Sequence, residues 1–291
     1  MDVPFLASFP RRVVVFNPTG RYAAAQVAAM REAGTNLVAG IALGRGGTVQ
    51  EGLTLLDDVR ELDAPADAAV IYTPPEGVLD AVRDAAAARI PTILVGAEYV
   101  PLHDALRAAQ AARAAGCWMV GPNTLGLCIP GQGDNQGVLG SIVPGFCMPG
   151  RVAVLCRSGT LTLTMARLLT AAGVGQRAVM HIGGDAVCGR NPHEYLAALA
   201  ADPGTGAVLY CGEIGGDKEY ALAEAIPHCP KPVVTMLVGR HAPAERRMGH
   251  AGALVGGERE TAAAKQAALK AAGAHTARDP EEAIAILKAL A

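Results

Sequence analysis

The stretch RVVVFNPTGRYAAAQVAAMREAG, running from Arg12 to Gly34, decides the fold. Four apolar residues, Val13–Phe16, form a short β-branched run. The tetrapeptide Asn17-Pro18-Thr19-Gly20 then breaks it with turn formers, and Arg21–Ala33 is an alanine-rich segment of helical length. Strand, tight turn and helix in that order predict one unit of an α/β fold. The pattern repeats downstream. Leu37–Ile41, Ala69–Tyr72, Thr92–Val95 and Trp118–Val120 read as strands, with helices expected over Glu76–Ala88 and Leu102–Ala115. Such alternation predicts parallel strands joined by right-handed helical crossovers. In sheets of this kind the first strand–helix turn, here Asn17 to Gly20, is a phosphate-binding position.

From Ile129 to Gly150 the periodicity gives way to Gly, Pro, Asn and Ser, which predicts a linker. A second alternation follows. Val152–Leu155 opens it as a strand, a helix is expected over Thr160–Ala172, and strands at Ala178–Ile182, Ala207–Tyr210 and Val233–Leu237 continue it. Helices are expected around Thr261–Ala272 and Pro280–Leu290, with Asp279 placed to cap the latter. The chain thus divides into a first domain over 1–128, a linker over 129–150 and a second domain over 151–291. Gly239 to Gly257 fits neither element type; a loop of that length in an α/β domain is commonly functional.

The 291 residues suffice for two cores, and a composition 51% hydrophobic but only 18% charged argues against disorder. A formal charge of −2 gives no electrostatic case for nucleic acid or an anionic membrane. The seven cysteines show no CxxC pair or metal-finger spacing, so they read as reduced thiols and no metal site is expected. The N-terminal residues lack a signal-peptide pattern and no apolar run could span a bilayer, which predicts a cytoplasmic protein.

Several loops carry chemistry-bearing residues. His250 sits between Gly249 and Ala251 in the long loop, so its neighbours leave the imidazole accessible. A neutral imidazole can accept a phosphoryl group when a partner orients it, although a loop histidine is often surface decoration. Arg157-Ser158-Gly159-Thr160 joins a strand to a helix; its N–H groups suit an anion, and plain N-capping by Ser158 explains it equally well. Ile182-Gly183-Gly184-Asp185 and Gly212-Glu213-Ile214-Gly215-Gly216 also follow strands, and Glu213 is either an imidazole-orienting carboxylate or a solvated turn acid. In the first domain, Thr19-Gly20-Arg21-Tyr22 and Gly44-Arg45-Gly46-Gly47 offer backbone donors and cations without the GxGxxG fingerprint, which disfavours a dinucleotide oxidoreductase. His103, His193, His228 and His275 show no ligand spacing.

Taken together and in order, Arg157–Thr162, Ile182–Asp185, Gly212–Gly216 and Arg247-Met248-Gly249-His250-Ala251-Gly252-Ala253 resemble the α subunit of succinyl-CoA synthetase, an NDP-forming acid–CoA ligase. Gly44–Gly47 and Gly121-Pro122-Asn123 look like the first-domain motifs of that family, and the likeness runs nearly end to end. The resemblance implies a Rossmann-like CoA-binding domain followed by a flavodoxin-like ligase domain. His250 would be the phosphohistidine, Glu213 its orienting carboxylate, and Ser158, Gly159 and Thr160 the phosphate-binding helix terminus. Thr19, Gly20, Arg21, Tyr22, Arg45, Gly96, Ala97 and Glu98 fall where the family contacts CoA. The resemblance also implies an ATP-grasp β subunit, in an αβ or α₂β₂ assembly, that brings ATP or GTP with Mg²⁺.

The departures are as informative. Leu163 and Thr164 stand where the family has tyrosine and glutamate at the acid site, which implies that the acid need not be succinate. Arg45 replaces lysine, Thr124 replaces cysteine, and Gly96 and Ala97 replace larger residues, which implies remodelled CoA contacts. A non-catalytic CoA-binding or regulatory paralogue is the alternative reading.

Overall fold

A computed structural model describes residues 3–131, 136–242 and 253–290. The short helix α1 (Pro4–Ala7) precedes the first strand, β1 (Val13–Phe16), whose four side chains are all buried. Helix α2 (Arg21–Glu32) follows, turning Ala23, Val27 and Met30 inward at spacings of four and three. Fully burying Val27 and Met30 contributes on the order of 2 kcal/mol each. The chain continues through β2 (Leu37–Ile41), the small hairpin β3 (Val49–Gln50) and β4 (Leu53–Leu56), then β5 (Ala68–Ile71), α3 (Val78–Ala87), β6 (Thr92–Val95), α4 (Leu102–Ala114) and β7 (Trp118–Val120). The strand order is β3-β4-β2-β1-β5-β6-β7, parallel except for the β3–β4 pair. Because β2 lies on one side of β1 and β5 on the other, the sheet has its switch point at the carboxyl ends of β1 and β5.

The second sheet contains β8 (Gly126–Ile129), β9 (Gly137–Gly140), β10 (Pro149–Cys156), β11 (Gln176–His181), β12 (Ala207–Gly212), β13 (Val233–Leu237) and β14 (His275–Ala277). Helices α5 (Gly159–Ala171), α6 (Pro192–Ala201), α7 (Lys218–Ala225), α8 (Ala262–Ala271) and α9 (Pro280–Leu290) connect or close it. The order β14-β13-β12-β10-β11 is that of a flavodoxin-like sheet, all parallel, with its switch point between β10 and β12. The two-part α/β architecture therefore stands.

The stretch 129–150 is more than a connection. Strand β9 lies within it, and β8 and β9 pair antiparallel onto the edge at β11, so this segment extends the second sheet. Glycine makes the pairing possible: a Cβ at Gly126, whose φ is +102°, would lie 1.8 Å from the carbonyl oxygen of Leu139. The sequence feature that suggests a break is the one that lets two backbones pair this closely. Asp279 caps α9 as expected, its carboxylate accepting the Glu282 N–H at 2.8 Å. Of the loop Gly239 to Gly257, residues 243–252 lie outside the described residues.

Candidate functional site

Several of the expected site residues lie at the two switch points. In the second sheet, β10 ends at Cys156 and β12 at Gly212, so Arg157–Thr160 and Glu213 emerge side by side. The Arg157 N–H donates to the Cys211 carbonyl at 3.0 Å, which continues the β10–β12 ladder into the turn. Ser158 is the N-cap of α5, its hydroxyl accepting the Leu161 N–H at 3.4 Å. The first intrahelical bond is made by the Thr162 N–H to the Ser158 carbonyl, so the N–H groups of Gly159 and Thr160 precede it and point out of the helix end. Capping and anion binding are thus compatible here, because the cap occupies a different donor.

Beneath the turn lies a cluster of buried charges. The Arg157 guanidinium is 2% exposed and pairs with Glu213 at 3.1 Å and Glu219 at 3.5 Å. Glu219 also accepts from Lys265 at 2.6 Å and from the Tyr210 hydroxyl at 2.7 Å. Lys265 reaches further, donating to the carbonyls of Glu213 at 3.1 Å and Gly215 at 2.6 Å. Burial works against the charge on Arg157, but Glu219 and Glu213 outweigh it and hold the guanidinium protonated. Burial likewise opposes the Glu219 carboxylate; Arg157 and Lys265 reverse that and lower its pKa. The same burial, with Glu219 adjacent, raises the Tyr210 phenol. Two cations and two anions compensate one another, which is the condition for keeping charge in a dry interior.

Glu213 therefore has its backbone carbonyl fixed by Lys265 and its carboxylate held by Arg157. His250, which Glu213 is expected to orient, lies outside the described residues. Leu163 is half-buried against the apolar cluster of the second sheet, beside Leu161, and Thr164 is exposed.

In the first sheet, Gly20 caps α2 without any side-chain hydrogen bond, leaving the helix end open beside exposed Arg21 and Tyr22. The preceding turn is stiffened: Thr19 donates to the Asn17 side chain at 3.0 Å, and Asn17 donates to the Tyr72 carbonyl at 3.3 Å. Tyr22 meets the ring of Tyr72 edge-on at 5.7 Å. Gly96 backs onto that same ring, since a Cβ there would sit 2.9 Å from it. Arg45 is exposed on a loop pinned by Asp57, whose carboxylate accepts the N–H groups of Arg45 and Gly46 at 2.9 Å each. Ala97 follows Gly96, and Glu98 is exposed.

The two switch points are connected. Asn123 donates its N–H to the Ala97 carbonyl at 2.7 Å and accepts the Gly184 N–H at 3.0 Å. Its side chain donates to Asp185 at 3.1 Å, and the Asp185 carbonyl in turn accepts from Lys218 at 3.1 Å. Desolvation lowers the pKa of the Lys218 ammonium. Among the described residues no group of acids, histidines and cysteines is placed to hold a metal ion, and no helix is long and apolar enough to cross a membrane.

Sequence reasoning did not single out Glu219, Lys265 or His181. The first two left a signal. Glu219 shares spacing with Leu222 and Ile226, and Lys265 with Ala262 and Leu269, so each falls on the inward face of its helix.

Family comparisons agree with this architecture. The model of the CoA binding domain matches residues 12–99, and that of the CoA-ligase matches residues 155–275. A CoA-binding module followed by a CoA-ligase module defines the class. The chain is 40% identical over 273 residues to the succinate–CoA ligase [ADP-forming] subunit alpha 2 of Archaeoglobus fulgidus, across 93% of this chain and 94% of that one. It is 38% identical over 286 residues to the ADP-forming sulfoacetate-CoA ligase subunit SauD of Bilophila wadsworthia, across 96% of each. The fold matches that of ATP citrate lyase from Methanothrix soehngenii with a TM-score of 0.85 at 23% identity, spanning 97% of this chain and 50% of that one. The chain belongs to the α-subunit family of ADP-forming acid–CoA ligases.

Proposed function

We propose that this chain is the α subunit of a nucleotide-dependent carboxylic acid–CoA ligase, working through an acyl phosphate and a phosphohistidine at His250. The observation that carries the reading is the meeting of the Ser158–Thr160 turn with Glu213 at one switch point, over the buried Arg157. Free N–H groups at the start of a helix stabilise phosphate without reorganising, and the helix dipole adds to them. Glu213 holds the imidazole of His250 so that its attacking nitrogen is unprotonated. His250 then passes the phosphoryl group between the acid site and the nucleotide site.

The first-sheet residues suit a CoA-sized anion. The open helix end at Gly20, with Arg21 and Arg45 exposed nearby, presents donors and positive charge where phosphates would lie, while Tyr22, Gly96, Ala97 and Glu98 shape the neighbouring wall. When bound there, CoA supplies the thiol that displaces phosphate from the acyl group. An ATP-grasp β subunit supplies ATP or GTP with Mg²⁺, in an αβ or α₂β₂ assembly. The acid need not be succinate, since Leu163 and Thr164 replace the residues the family has at the acid site; relatives named for succinate and for sulfoacetate support a scaffold that accepts more than one acid.

The test is intact mass after co-expression with an ATP-grasp partner and exposure to Mg-ATP or Mg-GTP. An acid-labile phosphate adduct is expected on the wild type and absent from His250→Asn. A nucleotide-bound complex that forms no adduct would overturn the reading in favour of a CoA-binding paralogue.

A further inference from the structure

His181, the last residue of β11, is 3% exposed and sits directly under the phosphate turn. Its Nδ1 accepts the Leu125 N–H at 2.9 Å, and its Nε2 lies 3.0 Å from the Arg157 carbonyl. A backbone N–H can only donate, so Nδ1 carries no proton. A carbonyl can only accept, so Nε2 carries one. One neutral tautomer satisfies both contacts, and the imidazolium would set an N–H against an N–H at Leu125.

The ring is clamped from both chain directions. Thr124 donates its hydroxyl to the His181 carbonyl, and Cys156 and His181 are register partners in the β10–β11 pair. Above the ring the first residue of α5 must be small: a Cβ on Gly159 would lie 2.9 Å from the Leu125 side chain and 3.4 Å from His181 Cε1. The imidazole therefore fixes the Arg157–Ser158 peptide plane and forms part of the floor on which Gly159 rests. Those are the two features that aim the Gly159 and Thr160 N–H groups.

We propose that His181 is a positioning residue for the phosphate turn, acting through the Arg157 carbonyl and never touching phosphate. The proposal rests on the functional reading above. Two conservative replacements separate its two contacts. In His181→Gln the side-chain amide nitrogen can reach the place of Nε2 and keep the bond to Arg157. In His181→Asn the amide is too short for that and can replace only the acceptor facing Leu125.

The experiment titrates the complex with its β subunit calorimetrically, using inorganic phosphate and CoA as probes, for wild type, His181→Ala, His181→Gln and His181→Asn. Misaligned N–H donors weaken phosphate binding by roughly 10-fold or more in His181→Ala and His181→Asn, and His181→Gln recovers most of it, while CoA binding is unchanged in all three. Equal phosphate affinity across the series would overturn the proposal, as would parallel losses for phosphate and CoA that track a fall in melting temperature. Hydrogen exchange at Gly159 and Thr160 in the α chain provides a second readout. It is expected to quicken in His181→Ala and His181→Asn and to hold in His181→Gln. A wild type that binds no phosphate refutes the functional reading alone; unchanged exchange in His181→Ala refutes the role of His181 whatever the activity.

Discussion

Replacing Lys265 by methionine tests whether the buried charge cluster is what secures Glu213. The side chain is fully buried, so Lys265→Met keeps most of the volume and removes only the ammonium. At the observed 2.6 Å from Glu219 and an effective dielectric of about 20, the lost attraction is roughly 6 kcal/mol. Two effects reduce that figure. The ammonium no longer has to be desolvated, and Glu219 keeps Arg157 at 3.5 Å and the Tyr210 hydroxyl at 2.7 Å. The carbonyls of Glu213 and Gly215 lose a donor, which restores some of the cost. A net loss of about 3–5 kcal/mol results, typical of a buried pair broken on one side. For a chain of 291 residues that lowers the melting temperature by roughly 5–8 °C.

The assay is thermal and chemical denaturation of wild type, Lys265→Met, Glu219→Gln and the double variant at neutral pH. Because Glu219→Gln removes the uncompensated charge but keeps an acceptor for Tyr210, the double variant should recover at least about 1.5 kcal/mol relative to additivity. The pH dependence has a defined sign. The folded pKa of Glu219 lies below its ordinary value, so the stabilisation is complete above that ordinary value and fades as pH falls through the lowered one. The gap between wild type and Lys265→Met should therefore be widest at neutral pH and narrow in acid. A single-variant loss under about 1 kcal/mol, or strictly additive variants, would refute the account of the cluster.

Three further outcomes are expected. Arg45→Ala should weaken CoA binding about 3–10-fold by calorimetry, with the difference shrinking at high salt because the side chain is exposed, and should leave phosphorylation of His250 unchanged. Leu163→Tyr, scored against a panel of carboxylates with CoA and nucleotide, should shift the preference toward succinate by about 10-fold or more, since a phenol adds a hydrogen bond for a second carboxylate. For Glu194, burial alone raises the pKa, but Arg113, the Asn191 N–H and Arg190 outweigh it and hold the pKa at about 2. Its stabilisation, roughly 1–2 kcal/mol after allowing for solvent screening, is present above about pH 4.5 and lost toward pH 2; Glu194→Gln should flatten acid denaturation in that window.

The regular elements were legible because each obeys one period. Val13–Phe16, Leu37–Ile41, Thr92–Val95, Trp118–Val120 and Val233–Leu237 are strands with the bounds that their apolar runs suggest. Ala69–Tyr72 is offset by one residue, since Ala68 pairs with Val13 and Thr92, and the register ends at Ile71 although the Tyr72 N–H still donates to the Phe16 carbonyl at 3.1 Å. What escaped lies where local signals conflict. The β8–β9 hairpin is punctuated by Gly126, Gly137 and Gly140, residues that mark loops in most contexts. Glu219 and Lys265 look like ordinary helix-surface charges until the helix register is read against their apolar neighbours. His181 is a single polar residue ending an apolar strand, and nothing local to it reveals that its partners are Leu125 and Arg157.

Three of the departures from the family pattern, Gly96, Ala97 and Thr124, lie close together, whereas Arg45 stands on the loop pinned by Asp57 and Leu163 and Thr164 on α5. Thr124 bonds the His181 carbonyl, and its side chain lies against the Gly121 turn, where a Cβ would meet it at 2.9 Å. Asn123, the residue before it, carries the link from Ala97 to Gly184. Gly96, adjacent to Ala97, accommodates the Tyr72 ring that Tyr22 contacts. Changed residues that are scattered over a molecule signify relaxed constraint. Gly96, Ala97 and Thr124 adjoin one another along the seam between the two switch points, while Arg157, Glu213 and the Ser158–Thr160 turn stay assembled around compensated buried charge. Loss of function would have no reason to keep four ionic side chains paired in a dry interior, since an apolar replacement is often as stable. The proposed ligase, with changed acid and CoA contacts and an unchanged phosphate turn, is the reading that both observations favour.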